Sequence, residues 1–291
     1  MEFRVLQYFL AVAREQSISG AAQALHLSQP TLSRQLKEME EELGKQLFIR
    51  SNRKITLTPE GILLRSRAEE IVRLMEKTRE EISVPDKAIA GTICIGAGES
   101  GSAHFLVRAA QALQKEHPGV HFHIHSGDKA TITEQLDQGL MDFGLVFGEV
   151  DAFKYEAIPV PYSDRWGVLM RQDSPLAGLE QIRPQDLRGA PLILSRQEMS
   201  ELKLTPWFGR KSGELNVVAT YNLLFYGALM ARQGMGYTLC LDGILDTPET
   251  SGLCFRPLFP PVEAKMNLIW RKNRPLTQAA ELFRDKIEEL A

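Results

Sequence analysis

Between Ser17 and Thr58 the chain places a short alanine-rich run, a turn, a capped helix of strong period and two short β-rich runs, in that order. Few folds accommodate this succession. Ahead of it, Phe3, Leu6, Leu10 and Ala13 recur at helical spacing and predict one buried face of a first helix. Ser19 is the expected N-cap of a second, short helix, because its hydroxyl can accept an orphan amide of the next turn. Ala22 and Leu25 would point inward from it, and the pair Ala21-Ala22 suits a close helix crossing. His26 and Leu27 make the turn. Ser28 caps a third helix with Pro30 in its first turn, where a missing amide hydrogen does no harm. Leu32, Leu36, Met39 and Leu43 form its buried stripe, and Gly44 ends it in the C′ role. The runs 46–50 and 54–58 read as two strands joined by a turn at 51–53.

The opposite face of the third helix carries Ser28, Gln29, Pro30, Thr31, Ser33, Arg34 and Lys37. Its polar side chains match the donors and acceptors of base edges and phosphates, and a helix fits a DNA major groove about 12 Å wide, N-terminal residues towards the bases. The hairpin after it bears Arg50, Arg53 and Lys54 and acts as a wing that grips phosphates or enters the minor groove. Charge agrees locally rather than globally. The whole chain is at −3, yet the stretch from Leu43 to Thr58 holds Lys45, Arg50, Arg53 and Lys54 and no acid. Glu38, Glu40, Glu41 and Glu42 would repel phosphate and oppose the helix dipole, so that end of the helix should point away from DNA. They have no stability rationale at this level.

The run from Ala21-Ala22 through Ser28-Gln29-Pro30-Thr31-Leu32-Ser33 to Leu47-Phe48, Arg50 and Leu57-Thr58-Pro59-Glu60-Gly61 resembles the LysR-type transcriptional regulators, with many positions at fixed spacing and a suitable chain length. The resemblance implies a mainly helical winged helix-turn-helix over 1–58 and a linker helix with hinge over 59–88. It further implies an α/β effector-binding domain over 89–291, built like periplasmic binding proteins from subdomain I (89–161 and 266–291) and subdomain II (162–265), with crossings near Pro161 and Ala264. Promoter DNA, a small-molecule effector, RNA polymerase and further copies of the chain, as homodimer or homotetramer, are the partners expected.

Residues of the linker support pairing independently. Leu64, Ala68, Ile71, Met75, Thr78 and Ile82 keep a heptad spacing with heavily charged flanks, the pattern of a helix that meets a second copy. From Gly91 onward the pattern alternates. Strands are expected at 92–96, 120–124, 143–147, 167–170, 192–194, 215–219, 236–241 and 266–270. Helices are expected at 103–117, 131–139, 201–211, 223–233 and 277–290. Ligands in such sheets bind beyond the carboxyl ends of the strands. The cleft that the resemblance implies there collects Ser100, Gly101, Ser102, Asp128, Lys129, Thr131, Phe147, Ser195 and Arg196, with Gly234 and Thr238 around a helix-to-strand turn, as expected effector residues. Lys129 and Arg196 suit an anionic effector. Asp128, where the family often has Ser or Thr, and Glu99 put a simple dicarboxylate in doubt, and an amine-bearing or neutral ligand fits as well.

Other classes find less support. No GxSxG, HExxH or GxxxxGK[ST] is present, Gly96-Ala97-Gly98 lacks the remaining glycine spacing of a nucleotide loop, and neither an enzyme nor a cofactor is expected. Cys94, Cys240 and Cys254 are sparse and far apart, so a thiol-redox regulator of the same architecture is an alternative without local support. A transported-solute binding protein would share the α/β domain but would have no use for residues 1–58. His121, His123 and His125 share one face of a strand. A metal there is not expected, and an exposed edge able to make a response pH-dependent is. The start, Met1-Glu2-Phe3-Arg4, lacks the form of a signal peptide and no apolar run approaches a membrane span, so a cytoplasmic protein is expected.

Overall fold

The computed structural model describes residues 1–50, 54–83, 89–196, 204–209 and 215–291. They fall into two compact units, Met1–Val84 and Pro85–Ala291.

In the first unit, α1 (Phe3–Glu15), α2 (Ile18–Ala24) and α3 (Gln29–Leu43) precede β1 (Phe48–Arg50), β2 (Ile55–Leu57) and the long α4 (Pro59–Ser83). The core is Val5, Leu6, Phe9, Val12, Ala21, Ala22, Leu32, Leu36, Met39, Leu47, Phe48 and Ala68. Phe9 and Phe48 meet at a ring-centroid distance of 5.1 Å. Three expectations need correction. The buried stripe of α1 is Val5, Leu6, Phe9 and Val12, while Phe3, Leu10 and Ala13 are half-buried. The N-cap of α2 is Ser17, whose Oγ accepts the Gly20 amide at 3.2 Å, not Ser19. Leu43 is 40% exposed, so the stripe of α3 ends at Met39. One acid of the Glu38–Glu42 run now has a stability role: Glu40 Oε1 accepts the amides of Leu47 (2.7 Å) and Phe48 (3.2 Å), and so holds the entry to β1.

Helix α4 begins where Thr58 Oγ1 accepts the Gly61 amide (3.0 Å) and donates to the Gln46 carbonyl (2.8 Å). Thr58 therefore ties the helix start to the wing. The heptad of α4 divides. Leu64 is half-buried against the unit's own core and Ala68 is fully buried in it, so Ala68 is not free for a partner. Thr78 Oγ1 donates to the Leu74 carbonyl. Ile71, Leu74, Met75 and Ile82 remain exposed, at 42, 36, 39 and 79%.

In the second unit the strands are β3 (Gly91–Ala97), β4 (Val120–Ser126), β5 (Phe143–Phe147), β6 (Tyr155–Arg171), β7 (Leu192–Ser195), β8 (Val217–Tyr221), β9 (Tyr237–Leu241), β10 (Leu253–Pro257) and β11 (Glu263–Arg271). The helices are α5 (Ala103–Glu116), α6 (Lys129–Gln138), α7 (Thr205–Phe208), α8 (Leu224–Arg232) and α9 (Gln278–Leu290). The strand order is β4-β3-β5-β11-β6-β9-β7-β8, with β10 also on β6. Strand β6 joins the two halves of this sheet. Up to Arg165 it pairs with β11, and from Trp166 with β9 and β10. The partner switch lies a few residues past Pro161, opposite Glu263 to Lys265 of β11. Each half carries its own apolar core, one on α5 and α9 and the other between β7, β9 and the loops before β7. The helix expected at 201–211 is described only as α7 within 204–209, the rest lying outside the described residues.

Candidate DNA surface and ligand cleft

Helix α3 presents its polar face as an N-terminal cluster. Ser28 Oγ accepts the Thr31 amide at 3.3 Å and shares a 2.7 Å hydrogen bond with Thr31 Oγ1, while Gln29 Oε1 accepts from Ser19 Oγ at 3.2 Å. Ser28, Gln29, Pro30, Thr31, Arg34 and Lys37 are exposed and Ser33 is half-buried. Beneath them Leu32 and Leu36 are fully buried, which fixes the face that the polar residues turn outward. Arg34 and Lys37 pair along the helix with Glu38 (3.7 Å) and Glu41 (3.3 Å), their side chains 71 and 73% exposed. Such exposed pairs are worth only about 0.3–0.5 kcal/mol and yield readily to a phosphate. Lys54 is exposed beside β2. Arg53, like the side chain of Arg50, lies outside the described residues.

The second unit holds a cavity of about 770 Å³ at the carboxyl ends of β3, β4, β5, β7, β8 and β9. Its size suits a small organic ligand. Of the expected effector residues, Asp128, Thr131, Phe147, Ser195 and Arg196 line it. The others do not. Ser100 and Ser102 are buried, and Gly101 packs on Asp164, where an added Cβ would lie 2.8 Å from Oδ1. Lys129 donates its Nζ to the Glu149 carbonyl. Thr238 is fully buried with its hydroxyl on the Gly227 carbonyl (2.9 Å), and Gly234 holds a turn at φ +76°. Trp166, Tyr221, Leu224, Cys240, Glu263 and Lys265 line the cavity and were not anticipated. Tyr221 and Cys240 had the same signal as Phe147, a place at or near a strand's carboxyl end. Trp166, Glu263 and Lys265 come from the crossing strands, which no local pattern marks.

Three helix starts in this unit hold carboxylates of the chain itself. Asp128 Oδ1 accepts the Thr131 amide of α6 at 2.9 Å, and this bond holds its carboxyl below the ordinary range. Glu99 Oε2 accepts the first amide of α8, that of Leu224, at 2.6 Å. Asp164, in β6, accepts the Ser102 amide (3.0 Å) and hydroxyl (2.8 Å) just before α5. Burial pushes the Asp164 carboxyl up against the downward pull of those bonds.

Two of the three thiols, those of Cys240 and Cys254, are poorly placed for redox chemistry, while Cys94 is half-buried. Burial pushes Cys240 far up, Asp242 adding to it, and burial also raises Cys254. The thiolate is the reactive form, so both should be slow nucleophiles. Iodoacetamide at pH 8 is expected to label Cys240 and Cys254 at least about tenfold more slowly than a free thiol, read by peptide mass spectrometry. Labelling of Cys240 at the free-thiol rate would contradict this burial. Among the described residues no three His, Cys, Asp or Glu side chains are placed to hold a metal. His121, His123 and His125 are exposed on the edge strand β4, with the rings of His123 and His125 6.2 Å apart. No described helix is long and apolar enough to cross a membrane.

A winged helix-turn-helix, a long helix and a sheet with a ligand-sized cleft together define a DNA-binding regulator with an effector domain. Two family models match: "Bacterial regulatory helix-turn-helix protein, lysR family" over residues 3–62 and "LysR substrate binding domain" over 86–291. The chain belongs to the LysR family and is a DNA-binding transcription regulator with an effector-binding domain. The DNA-binding transcriptional dual regulator OxyR of Escherichia coli (strain K12) is 30% identical over 300 residues, 99% of this chain and 96% of that one. An uncharacterized HTH-type transcriptional regulator, YfeR of Shigella flexneri, is 29% identical over 98% of this chain and 92% of its own length. In fold the chain is similar to full-length CbnR complexed with its target DNA, with a TM-score of 0.79, 20% identity and all of both chains covered. The family is one of regulators rather than enzymes, and its amino-terminal reader sets the chain apart from a solute-binding protein.

Proposed function

We propose that this regulator acts in the cytoplasm as a homodimer or higher homo-oligomer, without catalysis, on paired half-sites of promoter DNA. The N-terminal half of α3, from Ser28 to Lys37, enters the major groove, and the wing residues Arg50, Arg53 and Lys54 grip the backbone. The exposed part of the α4 heptad, Ile71, Met75 and Ile82, meets a second copy. An effector bound in the cleft between subdomain I (89–161, 266–291) and subdomain II (162–265) shifts the equilibrium between arrangements of the oligomer, and so alters promoter activity through RNA polymerase. The observation that carries this reading is the exposed polar cluster at the start of α3 over the fully buried Leu32 and Leu36. A thiol switch has in its favour the relatives named hydrogen peroxide-inducible genes activators, and against it the raised, buried thiols of Cys240 and Cys254.

Titration of DNA with single variants tests the docking. Arg34→Ala is expected to cost roughly 1–3 kcal/mol and to relax specificity at one base position, while Lys54→Ala weakens all sequences alike and reduces the salt slope by about one. Glu38→Gln frees Arg34 and removes a charge that repels phosphate, so it should tighten binding by roughly two- to fivefold at low salt. If all three variants bind as the parent does, α3 and the wing are not the reading surface.

A further inference from the structure

Two helix starts in this cleft each hold a carboxylate of the chain on one of their amides. Amides at a helix N-terminus are a ready site for carboxylate or phosphate, because their partial positive charge is unpaired. Here Thr131, at the start of α6, donates to Asp128, and Leu224, at the start of α8, donates to Glu99. All four of these residues line the cavity. The third start, before α5, donates to the buried Asp164 and is closed over by Gly101. Glu263 adds a further acid to the wall.

The described wall holds two cations, Arg196 and Lys265, against three acids, Glu99, Asp128 and Glu263. Lys129 has its Nζ on the Glu149 carbonyl and is not in the wall. Arg196 is exposed in the wall and only slightly lowers the Asp128 carboxyl, behind the bonds from Thr131. Lys265 lines the cavity from an exposed position on β11. A carboxylate approaching the Thr131 or Leu224 amide would meet the Asp128 or Glu99 carboxylate already bound there. An ammonium group would find acceptor oxygens, and the aromatic walls Phe147, Trp166 and Tyr221 offer a body-sized apolar surface whose ring faces attract cations.

We propose that the cleft takes a ligand carrying a cationic amine on an apolar, ring-sized body, and discriminates against the matching carboxylate. This rests on the cleft being the effector site. The measurement is tryptophan fluorescence of the full chain, titrated with two matched pairs: benzylamine against phenylacetate, and phenethylamine against 3-phenylpropionate. Either amine is expected to bind saturably and at least about tenfold more tightly than its acid partner. Asp128→Asn and Glu99→Gln, which keep the amide-accepting oxygen, should each narrow that preference to within about threefold. Trp166→Phe should remove most of the signal and Phe147→Leu weaken binding. Acids that bind more tightly than the amines, with binding still weakened by Phe147→Leu, would overturn the amine preference and leave the cleft standing as the effector site. Binding indifferent to Phe147→Leu and Trp166→Phe would overturn the cleft itself as the site. Two pairs that both fail to bind would overturn the proposal for ring-bodied amines.

Discussion

Gly61→Ala is expected to disrupt the first unit more than any other single-methyl addition in it. Gly61 lies in the first turn of α4, and a Cβ built there would sit 2.2 Å from the Leu47 carbonyl oxygen and 3.1 Å from Leu57 Cδ2. The near atom is backbone. It belongs to the residue that enters β1, whose amide is also held by Glu40 and whose carbonyl receives the Thr58 amide at 3.0 Å. Relief therefore requires the wing to leave α4, and with it the buried Leu47 and Phe48. Overpacking of a tight site costs about 1–3 kcal/mol and sometimes more, and here the upper end applies because backbone must move. For a unit of this size that lowers the melting temperature of the first unit by on the order of 15 °C. Calorimetry of the full chain should show one transition displaced and the other in place. DNA affinity should fall with it, because the wing is displaced. A variant that melts like the parent would mean that the α4–wing contact is looser than described.

The second large effect is expected from Ile71→Glu combined with Met75→Glu. Both residues are about two-fifths exposed on α4 of a single chain, one turn apart, and Leu74 and Ile82 continue the apolar surface. In an isolated chain the change should be close to neutral for stability, since exposed apolar side chains are exchanged for charges good at helix formation. In a paired helix, each seam would face like charge where it had apolar contact. Light scattering should then give the mass of one chain, 32.7 kDa, in place of twice that or more. Binding to a two-half-site duplex should weaken by about 100-fold or more, the avidity of a linked pair being lost, while binding to a single half-site stays within a few-fold. An unchanged mass would place the pairing surface elsewhere.

Much of this was legible in the residues, for identifiable reasons. Ser28 and Gly44 mark the ends of α3 because their cap chemistry is local. The spacing does not single out the buried stripe of α1, because that helix is apolar on more than one side and Val5, Phe9 and Val12 keep helical spacing as well as Phe3 and Leu10 do. Strand β6 was seen only at its end, since Pro159 and Pro161 argue against a strand. They are tolerated because that half of β6 pairs with β11 alone, leaving its other edge without a ladder to supply. The α4 heptad continued across a boundary the period cannot show, from a part buried in its own core to a part left exposed. In the cleft, local rules found Asp128 and Thr131. They could not find that Asp164 serves Ser102 across 62 residues, or that Glu99 serves Leu224 across 125. A helix start looks the same in sequence whether or not a distant carboxylate fills it.

In the proposed oligomer two copies of α3 read DNA together. Selection of duplexes from a random pool by the full chain tests it most directly. The expected product is a two-fold symmetric sequence whose half-sites lie about one helical turn apart, or a small multiple of it, with one symmetric position lost for Arg34→Ala. Enrichment of a single unsymmetrical site, or of none, would contradict it.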